Sequence, residues 1–170
     1  MTKRTSTIAG LIVCSVIGIT SAAPWGWNAG AADNNWTTDG NWNHSSYPGV
    51  SVTTDTVFID TRFAGGGGDF PVVLNSVLPN SITDLTMADG TSGSPVGLDV
   101  ADGDGTPNEA LLTVTGSFIV QERTGQSGAY IQINPSAGND KIEVSGDIQV
   151  IGGASTGVTL EVKGGTLQSI

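Results

Sequence analysis

The 170-residue sequence predicts an all-β protein, a right-handed parallel β-helix (β-solenoid) behind a Trp-rich N-terminal cap. Three observations carry that expectation. Apolar and polar residues alternate through many short runs, the two-residue period of half-buried strands, and no segment shows a convincing helical period. Glycine is abundant, at 25 residues, while only 13% of residues are charged, far from the balance of an ordinary cytosolic enzyme. Several of the strand-like runs are versions of one pattern, as stacked structural repeats are.

The chain opens with Lys3 and Arg4, continues into the apolar run "IAGLIVCSVIGI" and leaves it through the small residues "TSAA". That order is a secretory signal peptide over residues 1–22, with Thr20 and Ala22 at the small-residue positions and cleavage after Ala22. The apolar core is too short for a comfortable membrane span, and Pro24 and Trp25 follow at once. The mature chain is therefore expected to have no transmembrane span and to be secreted or held at the cell surface. Cys14, the sole cysteine, lies in the discarded run, so the mature protein is expected to rely on its core and backbone ladder without disulfides.

Residues 23–54 form a head rich in Trp and Asn. Trp25, Trp27, Trp36 and Trp42 have two readings: they cover the open end of the first coil, or they form a stacking platform for sugar rings. Indoles mostly pack in cores and a terminal repeat needs capping, which favours the first. "NWT" and "NHS" in the same head are formal glycosylation acceptors.

Residues 55–170 are the body, and its runs are "DTVFID", "PVVLN", "VGLDV", "LTVTGSFIV", "YIQIN", "IEVSGDIQV" and "TLEVKG". Three share the pattern apolar, x, Val, x, Gly: "LTVTGSFIV" from Leu112, "IEVSGDIQV" from Ile142 and "LEVKGGTLQ" from Leu160. Leu112, Val114, Phe118 and Val120 fall on one face, as do Ile142, Val144, Ile148 and Val150. Gly116 and Gly146 sit where a side chain would crowd a bend, and read as corners. Unequal spacing between constant strand cores is what coils with variable loops produce. The other fold compatible with these runs is an antiparallel β-sandwich, with "ADG" at 88–90 and "GND" at 138–140 as hairpin turns.

"NWTTDGNWNHSSYPGVSVTTDTVFID" resembles the segment that opens many large secreted bacterial β-helix proteins of the autotransporter-like and surface-anchored kind. The residues that carry the likeness are Trp36, Asn41, Trp42, Pro48, Asp55, Val57 and Ile59, and the Gly-punctuated strands after Leu112 look like the body of such passengers. The resemblance implies an architecture and a cell-surface setting, and no particular activity. No translocator, dockerin or anchor follows "GGTLQSI", so the chain is expected to be the N-terminal piece of a longer protein, truncated at its C-terminus.

Signals for chemistry are weak. The net charge is −10, and Arg62, Arg123, Lys141 and Lys163 are scattered along the body, so no nucleic acid partner is expected. His44 is the sole histidine, read as a solvated loop residue with no second histidine or cysteine to share a metal with. No G-x-S-x-G occurs, and "AGGGGD" lacks the ending of a phosphate loop. The candidate ion site is "DGDGTPNE" at 102–109, where Asp102, Asp104 and Asn108 offer the hard oxygen ligands calcium prefers, in a turn similar to those of thrombospondin type 3 repeats. It departs from the EF-hand pattern at Pro107 and Thr113, and an ordinary acidic turn uses the same residues.

The expected function is that of a secreted or cell-surface structural or adhesive module, with no catalytic residue identifiable and extracellular glycans or other surface proteins as partners. The alternative is a carbohydrate-binding or polysaccharide-processing protein that places the Trp cluster at its ligand.

Overall fold

The computed structural model describes residues 23–31, 33–51, 55–60, 72–88, 96–100, 110–121, 129–133, 140–152, 160–163 and 166–170. The signal segment 1–22, the glycine run 64–69 and the acidic turn 102–109 lie outside these described residues. The described chain is all-β apart from one 3-10 turn, Asp39–Asn41. The first half contributes β1 (Trp25–Gly26), β2 (Thr56–Asp60), β3 (Val72–Leu74), β4 (Asp84–Ala88), β5 (Val96–Val100) and β6 (Leu111–Val114). The second half contributes β7 (Phe118–Gln121), β8 (Ala129–Ile133), β9 (Lys141–Val144), β10 (Ile148–Ile151), β11 (Leu160–Lys163) and β12 (Thr166–Ser169).

Every pairing between these strands is parallel. They form a five-stranded sheet in the order β1-β2-β4-β7-β10, a four-stranded sheet β11-β8-β5-β3 and a three-stranded sheet β12-β9-β6. From β4 onward the chain visits the three sheets in strict rotation, so each strand pairs with the one three elements later. The reason is geometric: a parallel partner needs a crossover of a dozen or more residues, whereas β6 and β7 are separated only by Thr115, Gly116 and Ser117. Consecutive strands therefore turn a corner into different sheets. The antiparallel sandwich is ruled out on the same ground, because β4 pairs with β2 and β7, and β8 with β5 and β11, where hairpins at 88–90 and 138–140 would join β4 to β5 and β8 to β9.

Register follows the apolar pattern. Leu112 pairs with Ile142 and Val114 with Val144, then after the corner Phe118 pairs with Ile148 and Val120 with Val150, so the two repeats from Leu112 and Ile142 stack position for position. The third repeat is offset. Leu160 pairs with Ala129 in the four-stranded sheet, and it is Leu167 that pairs with Ile142. A short Gly-containing connection occurs at two different corners, after β6 and β9 and again after β11, and aligning the sequence by its glycines matches the wrong pair.

Inward-facing residues of the three sheets meet in one core. Val57, Leu85 and Phe118 come from the first sheet, Leu74, Leu98 and Val100 from the second, and Leu112, Val114, Ile142 and Val144 from the third, all buried. Burial stops at β10: Ile148 is half-buried and Val150, expected on the inward face, is 48% exposed. β10 is the outermost strand of its sheet, so Val150 has the stacked neighbour Val120 on one side only.

The corners are tight. Gly146 N–H donates to the carbonyl of Gly116 at 3.0 Å, and Gly116 N–H to that of Thr83 at 2.6 Å. A methyl group on Gly146 would meet the Gly116 backbone, with its carbonyl carbon at 2.7 Å, and one on Gly116 would meet Thr83 O at 2.8 Å as well as the Asp84 carboxylate. No side chain fits between stacked bends this close.

Candidate functional site

The Trp/Asn head is attached to the outer edges of two sheets. β1 pairs with β2, Trp27 N–H donates to Phe58 O at 3.0 Å, and Trp36 N–H donates to Val73 O at 2.8 Å while Val73 N–H returns a bond to Asn34 O at 2.8 Å. Backbone groups that would otherwise form exposed sheet edges are thereby paired. Asn43 holds β1 from the other side, its Oδ1 accepting from Gly26 N–H at 2.8 Å and its own N–H donating to Gly26 O at 3.0 Å.

Three of the four indoles belong to the core. Trp36, Trp42 and Trp27 are buried, with Trp42 edge-on to both Trp27 (centroids 5.1 Å) and Trp36 (5.0 Å). The indole N–H of Trp42 donates to Trp36 O at 2.7 Å and that of Trp36 to Pro48 O at 3.0 Å, so burial leaves neither polar handle unpaired. A sugar ring has no access to these three rings. Trp25 is half-buried and stacks on His44, with centroids 4.2 Å apart and planes at 29°. His44 is thus engaged where the sequence suggested a solvated loop residue, and its Nε2 lies 3.3 Å from Pro24 O.

Polar residues that composition alone does not distinguish hold the head together. Asn41 is fully buried; its Nδ2 donates to Asp33 Oδ1 (2.9 Å), Asp33 O (3.0 Å) and Asn35 O (3.1 Å), and its Oδ1 accepts from Ala31 N–H (3.0 Å). Asp33 also accepts from Asn35 N–H at 3.0 Å and from Thr38 Oγ1 at 3.1 Å. These donors, the Asn35 amide first, hold the Asp33 carboxyl below the ordinary carboxylate value against the opposing effect of burial.

Aspartates recur at strand entrances. Asp55, before β2, accepts from Gly49 N–H at 2.9 Å; Asp84, opening β4, accepts from Ser117 N–H at 2.8 Å; Asp140, before β9, accepts from Ala110 N–H at 2.8 Å. Each carboxylate satisfies a backbone donor that a corner removes from the ladder. Two carboxylate oxygens buried in the structure, Asp99 Oδ1 and Asp140 Oδ2, meet no donor. Burial, and then the Asp140 charge, pushes the Asp99 carboxyl up.

The calcium candidates Asp102, Asp104 and Asn108 lie outside the described residues. Among the described residues no group of three or more His, Cys, Asp or Glu gathers into a metal-binding set, and no helix is long and apolar enough to cross a membrane. No protein-family model, curated protein or solved structure matches the chain.

Proposed function

We propose that the chain is a secreted or cell-surface structural module with an adhesive role, built as a parallel β-helix whose N-terminal Trp/Asn head caps one end. The observation that supports this most is the rotation of strands through three parallel sheets, each strand from β4 onward pairing with the one three elements on. A chain that winds in this way gains length by adding turns and presents flat, ladder-like faces, the architecture of a scaffold more than of a cleft. The right-handed sense is the one that parallel crossover connections adopt almost without exception. Export rests on the charged start, apolar run and small-residue exit of residues 1–22.

The test is fractionation of cells that express the protein, followed by mass spectrometry and binding of the purified protein to immobilised glycans and surface proteins. A mature form starting at Ala23, recovered from the medium or the cell envelope, is the expected result. Material that keeps Met1 and stays in the cytoplasm would overturn the reading.

A second reading, glycan binding, is favoured by one feature, the half-buried Trp25 stacked on His44 at the margin of the head. On that reading Trp25→Ala abolishes retention on the polysaccharide and changes stability little. Retention that survives Trp25→Ala would place any glycan site elsewhere.

A further inference from the structure

The two ends of the strand stack are unlike. At one end the Trp/Asn head pairs with the edges of β2 and β3. At the other, β10, β11 and β12 follow one another in the chain and are the outermost strands of the three sheets. Among the described residues, one whole circuit of strand edges therefore faces away from the stack with no strand paired to it, a ready template for another chain. Val150, Ile151 and Ile170 are exposed at this end, and Ile148 and Leu167 are only partly covered. The three strands have four residues each and no proline, and their only charged residues are Glu161 and Lys163, both on β11.

We propose that this edge is the docking surface for a second copy of the chain, joined end to end about a two-fold axis through β11. A second copy presents the same end only when turned over, so its strands run antiparallel to those they meet. The circuit climbs one strand spacing, about 4.8 Å, over three sheets, so β11 stands a third of a spacing beyond β10, and β12 a further third. Edges staggered in this way meet evenly when β11 faces the partner's β11 and β10 faces the partner's β12. Centring on β10 makes the other strands collide, and centring on β12 holds them a full spacing too far apart. Leu160 and Val162 occupy the register positions of the buried Val96 and Leu98, so a pairing centred on Glu161 or on Val162 sets inner positions against inner ones. The first puts Glu161 opposite itself. The second puts Glu161 opposite the partner's Lys163 and Lys163 opposite the partner's Glu161, so β11 is complementary in charge to its own reversed copy. β10 and β12 meet without charge, and the net charge of −10 is not concentrated at this contact. The head leaves one such end per copy, so association closes at two. Three four-residue strands per copy fall short of the roughly 20–30 residues of a standard interface, which makes the dimer weak and concentration-dependent.

Sedimentation equilibrium of the purified protein from about 1 μM to 1 mM should pass from monomer to dimer and stop there, with the dimer weakening as salt rises. Lys163→Glu and Glu161→Lys should each lower the association constant by about tenfold or more, because two favourable facing pairs become two repulsive ones. An equimolar mixture of the two variants should form a heterodimer, in which every facing pair is again of opposite sign, and the double variant E161K/K163E should dimerise like the unsubstituted chain. Both rescues require folded protein, so they separate loss of contact from loss of fold. Amide exchange on the same samples locates the contact: β10 exchanges first in dilute protein and gains protection in concentrated protein. A monomer at every concentration overturns the proposal, including one whose β10 amides are protected, since the chain itself then covers the edge. A dimer indifferent to both charge reversals, or assembly beyond two copies, overturns it equally.

Discussion

Asn41 and Trp42 are adjacent in the chain and hold the head by different physics. Asn41 satisfies its amide completely inside the protein, so Asn41→Ala removes the partner of the Ala31 amide and of the Asp33 carbonyl, while Asn35 O keeps its bond from Thr38 N–H, at a cost of about 1–3 kcal/mol. Trp42 is the middle ring of three, and Trp42→Ala opens a cavity beside Trp27 and Trp36 as well as freeing Trp36 O, which places its cost in the range of about 3–5 kcal/mol. Chemical denaturation of the two variants should show both losses, the larger for Trp42→Ala, with emission shifting to longer wavelength as water reaches the remaining indoles. Unfolding that is indifferent to Trp42→Ala would contradict the packed arrangement. Asp33 adds a pH dependence. Its folded carboxyl titrates below its unfolded value, so its contribution is fully present above about pH 4 and is lost as the pH falls through the lower folded value. The stability difference between the protein and its Asp33→Asn variant should accordingly be constant near neutrality and shrink in acid; a difference that grows in acid would refute the sign.

At the scale of single elements, legibility in the sequence depended on how cleanly a strand alternates. β6, β7 and β9 alternate buried and half-buried residues, and their runs could be read directly. β4, "DLTMA", could not: Leu85, Thr86, Met87 and Ala88 are all buried, and a strand covered on both faces shows no two-residue period. The aspartates at strand entrances were invisible for another reason. Sixteen acidic residues make any one of them unremarkable, and only the corner geometry shows that Asp55, Asp84 and Asp140 each accept from a specific backbone amide. The corner glycines were legible because a residue on inward parity without a side chain demands a reason. Gly146→Ala should cost about 1–3 kcal/mol, as overpacking does, because its methyl group would face the Gly116 backbone, which cannot yield as a flexible side chain would. Gly152→Ala is the control, since nothing lies within 4 Å of the added carbon and the melting temperature should hardly move.

For the molecule as a whole, the all-β class and the parallel stacking follow from repeats that place like residues in register, Leu112 on Ile142 and Val114 on Val144. Leu160 shares that pattern yet lies in another ladder, because a repeated motif marks a connection between sheets without saying which two sheets it joins. The burial of Trp27, Trp36 and Trp42 in the core was legible from large indoles set in a polar run; the hydrogen-bond hub at Asn41 was not, since nothing in "DGNWN" sets that Asn apart from its neighbours.

The pairing of each strand from β4 onward with the one three elements later also sets how the molecule comes apart. Contacts of this kind are uniformly medium-range: among the described strands none pairs with one at the far end of the chain. Order then spreads and recedes like a zipper along one axis, with the strands beside the Trp/Asn head as the firmer side and β10, with Val150 and Ile151 open to solvent, as the fraying one. Amide hydrogen exchange should follow that axis: amides of β10 exchange first, those of β7 and β9 later, and those of β4, enclosed between β2 and β7, last of all. Uniform protection across these strands would mean instead that the whole stack opens as a single cooperative unit.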